Sequence, residues 1–162
     1  MKKILLFLAV LCMVACKSNT SKDGYVDLGL SSGTLWKSQN EMNPQDPENG
    51  FYTYDEAVEA FGRNLPTIKQ WIELINECTW TWTGMGYQVV GPNGNSIVLP
   101  AAGFASFRDS DYSVSNVGSY GDYWSSTPDG SDNAWDLYFN SSGVLDYLNL
   151  RRGLCRSVRL VR

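Results

Sequence analysis

Between Ser119 and Phe139 the chain alternates apolar and polar positions in two β-prone runs, DYWSST from Asp122 and NAWDLYF from Asn133, around the turn signal Pro128-Asp129-Gly130. That spacing predicts a hairpin. In the second run Trp135, Leu137 and Phe139 share one face, and Ala134, Asp136 and Tyr138 the other. One face is then core and the other meets water or a partner. Upstream the period changes. Tyr25–Leu30 and Thr34–Trp36 read as short strands around Ser31-Ser32-Gly33, and the polar stretch from Lys37 to Gly50 reads as a surface loop. Thr53 and Glu56 form a capping box that starts a helix running to Phe61 and stopping at Gly62, with Ala57, Val58 and Phe61 as its buried stripe. A second capping box, Thr67 with Gln70, starts a helix whose apolar stripe is Ile68, Trp71, Ile72 and Ile75, widened by Leu74.

From Cys78 onward the period is two. Thr79–Thr83, Tyr87–Val90, Ser96–Leu99, Val144–Leu150 and Ser157–Val161 read as strands. Gly91–Asn95 and Asn140–Gly143 read as turns. Ala101-Ala102-Gly103-Phe104 leaves room for a close backbone approach. Ser106–Gly118 has no period and reads as a loop. Trp80, Trp82, Trp124 and Trp135 are assigned to the core. Two helices followed by short antiparallel strands make an α+β plan.

The N-terminus changes the picture of where the chain resides. Met1-Lys2-Lys3 and the apolar run Ile4–Val14 are too short to span a bilayer, and Ala15-Cys16 resembles a lipoprotein box. Cleavage before Cys16 and its acylation, with palmitate among the lipids, would make residues 1–15 a signal peptide and 16–23 a lipidated tether. Residues 24–162 would form one domain of an outer-membrane, cell-surface lipoprotein whose membrane partner is its own lipid. The alternative is an ordinary secretory signal with an incidental cysteine.

Removing Lys2 and Lys3 from thirteen basic residues leaves eleven against seventeen acidic ones, which disfavours nucleic acid as a partner. Five arginines crowd the last twelve positions (Arg151, Arg152, Arg156, Arg159 and Arg162), as on the wet face of a terminal strand or in pairs with acidic loops. Histidine is absent, which removes the Ser-His-Asp triad, the Cys-His dyad and His-ligated zinc. Cys78 and Cys155 allow either one disulfide or two free thiols.

The motifs YVDLGLSSGTLW from Tyr25, NLPTIKQW from Asn64, CTWTW from Cys78, GNSIVLPAAG from Gly94, GDYWSS from Gly121, AWDLYF from Ala134 and SVRLV from Ser157 follow in order. Together they resemble the Fibrobacter succinogenes major paralogous domain, found in exported lipoproteins. The resemblance covers nearly all of the chain after the signal segment. It implies a C-type-lectin-like fold related to the formylglycine-generating enzyme: twisted antiparallel sheets, two helices in the N-terminal half, and a loop-rich ligand face. In that fold a disulfide often ties a helix to the last strand. Two positions depart from the pattern. The region after Trp36 is short, and Asn64 stands where arginine often precedes Leu-Pro-Thr, which would cost a structural contact.

The expected function is that of a non-enzymatic binding module, monomeric and without cofactor or metal, whose C-terminal loops recognise a protein or glycan. Tyrosine, asparagine and arginine suit such surfaces. The candidate ligand-binding residues are Phe107, Arg108, Asp109, Tyr112, Asp129, Asp132, Asn133, Tyr147, Asn149, Arg151 and Arg152. Proteins of this fold also serve as variable targets of diversity-generating retroelements, and Asp146–Arg156 resembles such a variable end. Three alternatives stand beside this one. An enzyme akin to the formylglycine-generating relatives would need Cys78 and Cys155 as a redox pair. A calcium lectin would draw on Asp129, Asp132, Asn133 and Asp136. A structural subunit of a surface assembly would bind other proteins.

Overall fold

The two runs of the predicted hairpin are the centre of the structure. The computed structural model describes residues 23–108 and 111–162, and for residues 107, 108, 111 and 145–150 the description is of the backbone alone. The signal-peptide, Cys16, tether and Asp109 expectations lie outside the described residues. In chain order the elements are β1 (Tyr25–Asp27), β2 (Leu35–Lys37), α1 (Tyr54–Phe61), α2 (Ile68–Glu77), β3 (Thr79–Trp82), β4 (Gly86–Val90), β5 (Ser96–Pro100), β6 (Phe104–Arg108), β7 (Asp111–Ser115), β8 (Tyr120–Asp129), β9 (Asn133–Asn140) and β10 (Gly143–Arg151). The sheets, β1-β2, β3-β4-β5, β6-β7 and β8-β9-β10, are antiparallel throughout. This is an α+β architecture with its two described α-helices in the N-terminal half.

The helices start where their caps are. The hydroxyl of Thr53 accepts from the Glu56 N–H while the Glu56 carboxylate accepts from the Thr53 N–H, and Thr67 and Gln70 repeat the exchange. The buried side of α1 differs from expectation: Tyr54 and Ala57 are buried, whereas Val58 is exposed. On α2 the stripe centres on Trp71 and Leu74, with Ile68 and Ile75 packed beside them.

β8 and β9 are covered on both sides, and that decides the fate of the expected wet face. On one side Tyr123, Leu137 and Phe139 join Trp36, Trp71 and the residues of β4 and β5. Trp36 and Trp71 meet at 4.6 Å between ring centroids, and Tyr123 stacks on Phe139 at 5.9 Å. On the other side Trp124 and Ala134 join Tyr52, Tyr54, Ala57, Leu65, Val158 and Leu160. Asp136 is therefore fully buried rather than wet. Trp135 is only half-buried, because three residues of β8 face it across a bulge between Trp124 and Pro128. Of the other tryptophans assigned to the core, Trp124 is fully buried, and Trp80 and Trp82 pack half-buried against the first cluster. Gly121 sits opposite Phe139, where a Cβ would meet the ring at 2.0 Å.

The stretch 106–118 is not a loop. It forms the hairpin β6–β7, with Phe104 opposite Ser115 and Phe107 opposite Tyr112. The expected last strand is not a sheet member either. Cys155–Val161 is an unbroken buried run threaded between other elements. It is bridged in turn to Ala105, Tyr52, Tyr123 and Trp36. Its arginines therefore have no wet face. Arg156 lies 3.7 Å from Asp122 and 3.8 Å from Asp136, and its guanidinium stacks 4.7 Å over Phe104. Arg159 donates to Asn40 Oδ1 and to the carbonyls of Lys37 and Val98. Asn64 makes a contact of its own: its amide donates to the Val161 carbonyl at 3.0 Å. Cys78 and Cys155 are free, because Cys78 caps α2 against the first cluster whereas Cys155 packs with Phe51 and Ala105 in a third.

Candidate functional site

The N-terminal turn of α1 is the point on which two irregular segments converge. Residues 152–156 run beside residues 52–54 through backbone hydrogen bonds: Tyr54 N–H to Arg152 O at 3.1 Å, and Tyr52 N–H and Arg156 N–H to each other's carbonyls at 2.9 Å. The β8–β9 turn is drawn to the same place. The Arg152 N–H donates to Asp132 O at 3.0 Å, its Nε to Asn133 O at 3.1 Å and its Nη2 to Gly130 O at 3.0 Å. The same guanidinium lies 4.7 Å over the Tyr54 ring. The result is a groove of about 680 Å³ whose lining includes Asp55, Asp132, Asn133, Arg151, Arg152 and Leu154.

Four of the predicted ligand-binding residues, Asp132, Asn133, Arg151 and Arg152, thus share one groove. Their roles differ. Arg151 is exposed there. Arg152 is the staple that holds the two turns together, so it shapes the groove rather than reaching from it. Asp129 pairs in register with Asn133 at the end of the hairpin. Arg108 is at the end of β6, Asn149 is opposite Trp135, and Tyr147 is at a bulge of β10 between Leu145 and Leu148. The stretch read as a variable end resolves into three parts: β10 as far as Arg151, an open turn at 152–154, and the buried pair Cys155-Arg156.

Tyr112 belongs to a second, smaller cavity on the other flank of α1. That cavity, about 280 Å³, is lined by Asn43, Asp46, Phe51, Glu56, Tyr112 and Cys155 among others. The Tyr112 hydroxyl donates to Asp46 Oδ2, and the Asn49 side-chain amide donates to Oδ1 at 2.9 Å. Burial works to raise the Asp46 pKa, but the donors from Tyr112, Asn49 and Phe51 outweigh it and bring it below the ordinary carboxylate value.

The four-residue calcium set is not brought together: Asp136 is buried facing Arg156 in the core, apart from the turn that carries Asp132 and Asn133, whose Gly130 and Asn133 carbonyls accept from the Arg152 guanidinium. The thiols are not prepared for attack. Burial, then the nearby Glu77 and Glu73, push Cys78 up to about 11; burial, then Glu56, push Cys155 up to about 11. Sequence reasoning missed Asp55, Asn43 and Asp46, and it reached Leu154 only as part of the Asp146–Arg156 stretch. The capping box at Thr53 was the available signal for Asp55, since it sets the first turn of α1 and Asp55 lies in that turn, exposed.

One stretch resembles a known family. A model described as Domain of unknown function (DUF8237) matches residues 88–161. Those residues include β8–β10, the turns at 130–133 and 151–154, and the threaded run 155–161, but not α1. No curated protein matches the chain. No solved structure matches it.

Proposed function

We propose that the protein is a non-enzymatic binding module of C-type-lectin-like fold, akin to the Fibrobacter succinogenes major paralogous domain. In this reading a lipid on Cys16 holds it at the outer membrane and displays it at the cell surface. It recognises a protein or glycan ligand through the turns 130–133 and 151–154. The observation that carries the reading is the stapled groove. Two irregular turns, far apart in sequence, are fastened by Arg152 against a capped helix start and line a roomy opening. Outside it, residues 155–161 of the same C-terminal stretch are buried. A rigid frame with a polar opening suits recognition, because little ordering is left to be done on binding. Carboxylates and guanidinia of both signs in the groove suit a ligand that carries both, as a protein surface does. The free thiols, raised well above neutral, favour binding over cysteine redox chemistry.

The test is a glycan and host-protein array probed with the chain from Ser18 onward, followed by two variants. Arg151→Ala is expected to leave the urea midpoint within about 0.5 kcal/mol of the parent, as for an exposed side chain, and to weaken binding of any array hit. Arg152→Ala is expected to lower both, with stability falling by about 1–3 kcal/mol for the carbonyls it leaves without donors. An array hit that neither variant weakens would move the ligand away from the groove.

A further inference from the structure

The opposite end of the β8–β9 hairpin carries a second opening with a different chemistry. Tyr120 pairs with Asn140 there, whereas Asp129 pairs with Asn133 at the groove, so the two openings are about 20–25 Å apart along β9. The second is a cleft of about 410 Å³ between the β3–β4 turn, the β7–β8 connection and the β9–β10 turn. That is within the range of about 300–1,000 Å³ that small-molecule sites span. Trp82, Ser119, Tyr120, Asn140, Ser141 and Ser142 line it together with two glycines, and no charged residue is among its lining. In a chain with thirty charged side chains, that composition is distinctive.

The walls are held before any ligand arrives. Trp82 is braced by Tyr87, whose ring lies 5.2 Å away at 71°, and the Tyr87 hydroxyl donates to the Asn140 carbonyl at 3.1 Å. The Ser142 N–H donates to Asn140 Oδ1 at 2.8 Å, fixing the β9–β10 turn. The N–H groups of Ser119 and Tyr120 both donate to Asn116 O, and the Tyr120 ring lies 5.3 Å from that of Tyr138.

We propose that this cleft is a binding site for a neutral saccharide. Amide and hydroxyl groups make up most of the wall and match a sugar's hydroxyls, and Trp82 and Tyr120 add a small apolar area beside them. The mostly polar walls do not suit a lipid. An ion would be desolvated there without a counter-charge, which is costly. The site is separate from the charged groove and stands without it.

The experiment titrates the purified protein with neutral hexasaccharides of glucose, mannose, xylose and N-acetylglucosamine, with oligogalacturonate as the anionic comparison, and follows tryptophan fluorescence and heat. At least one neutral sugar is expected to bind, with an affinity unchanged between low and high salt. Trp82→Ala is expected to weaken that binding at least about tenfold, given what base–aromatic and ring contacts contribute elsewhere. Ser141→Arg, at an exposed turn position, is expected to block it while leaving the thermal midpoint in place. Arg151→Ala is expected to have no effect. Failure of all four neutral sugars, preference for the anionic one with salt sensitivity, or sugar binding that survives both Trp82→Ala and Ser141→Arg would each overturn the proposal. Because Arg151→Ala probes only the groove, loss of one site is read separately from loss of the other.

Discussion

Arg159 is almost fully buried, and its planar fork meets three acceptors that lie apart. Nε and Nη2 both donate to Asn40 Oδ1, Nη1 donates to Lys37 O, and Nη2 also donates to Val98 O, at 2.6 to 2.9 Å. A lysine places its donors at a single point and cannot reach all three. Arg159→Lys is therefore expected to cost about 3 kcal/mol, since buried acceptors left bare cost about 1–3 kcal/mol each. An unchanged urea midpoint would refute this. Asp122 makes a different demand. Burial pushes its carboxyl up to about 6, against the pull of Arg156 and a hydrogen bond with Asp136. The unfolded chain releases that proton near 3.8. The stability this group contributes is thus fully present below about pH 4 and is lost as the pH rises through 6. Unfolding free energies measured from pH 4 to 7 should fall along that interval in the parent and fall less in Asp122→Asn, in which Asp136 still pairs with Arg156. Parallel curves for the two proteins would remove Asp122 as the cause.

At the scale of elements, the hairpin β6–β7 depends on a close approach. Gly103 has φ of +76°, and a Cβ there would meet the Ser115 carbonyl oxygen at 2.1 Å. Gly103→Ala is expected to destabilise by at least about 2 kcal/mol, from the left-handed backbone and the collision together. A thermal melt of the variant that overlays the parent would contradict that. The small-residue run Ala101–Gly103 made this approach legible in the sequence. The capping boxes at Thr53 and Thr67 and the period-two runs of β3, β4, β5 and β9 were legible for the same reason: each is a local pattern with a local cause. β6–β7 was not, because its strands read Phe-Ala-Ser-Phe-Arg and Asp-Tyr-Ser-Val-Ser, too polar to alternate against a core. The burial of Asp136 was also hidden, since it follows from a second layer supplied by α1 and by residues 158 and 160, which no window of β9 contains. The groove was half legible. Composition pointed to the turns at 130–133 and 151–154, but the division of labour between Arg151 and Arg152 rests on which carbonyls lie within reach.

For the whole molecule, residues 155–161 act as a thread that fastens separate parts. Ala105 and Cys155 exchange backbone hydrogen bonds, as do Tyr52 and Arg156. Ser157 bonds to Asp122 and Trp124 of β8, Val158 O accepts from Glu41, Leu160 O from Lys37, and Val161 N–H donates to Asn64 O. Arg159 adds the contacts to Asn40 and β5 described above. The thread therefore joins β2, the 37–50 loop, the residue before α2's cap segment, β5, β6 and β8. Its apolar side chains, Val158, Leu160 and Val161, are buried in two different clusters. Removing it exposes both clusters at once and leaves Asp122 and Asp136 without their arginine. At about 1.5–3 kcal/mol for each buried aliphatic side chain, and more for uncompensated buried charge, the loss exceeds the whole margin of a typical domain. A chain ending at Leu154 is expected to show no cooperative urea transition and no near-ultraviolet tryptophan dichroism. A chain lacking only Arg162 keeps the thread. It loses an exposed ion pair to Asp23 at 2.7 Å, the stacking of that guanidinium 4.5 Å from the Tyr25 ring centroid and the backbone hydrogen bonds exchanged with Leu35, so it should still unfold cooperatively, within about 2–3 kcal/mol of the parent. If the chain ending at Leu154 unfolds cooperatively, the clusters hold without their thread, and the terminal run is a passenger rather than the fastening of the fold.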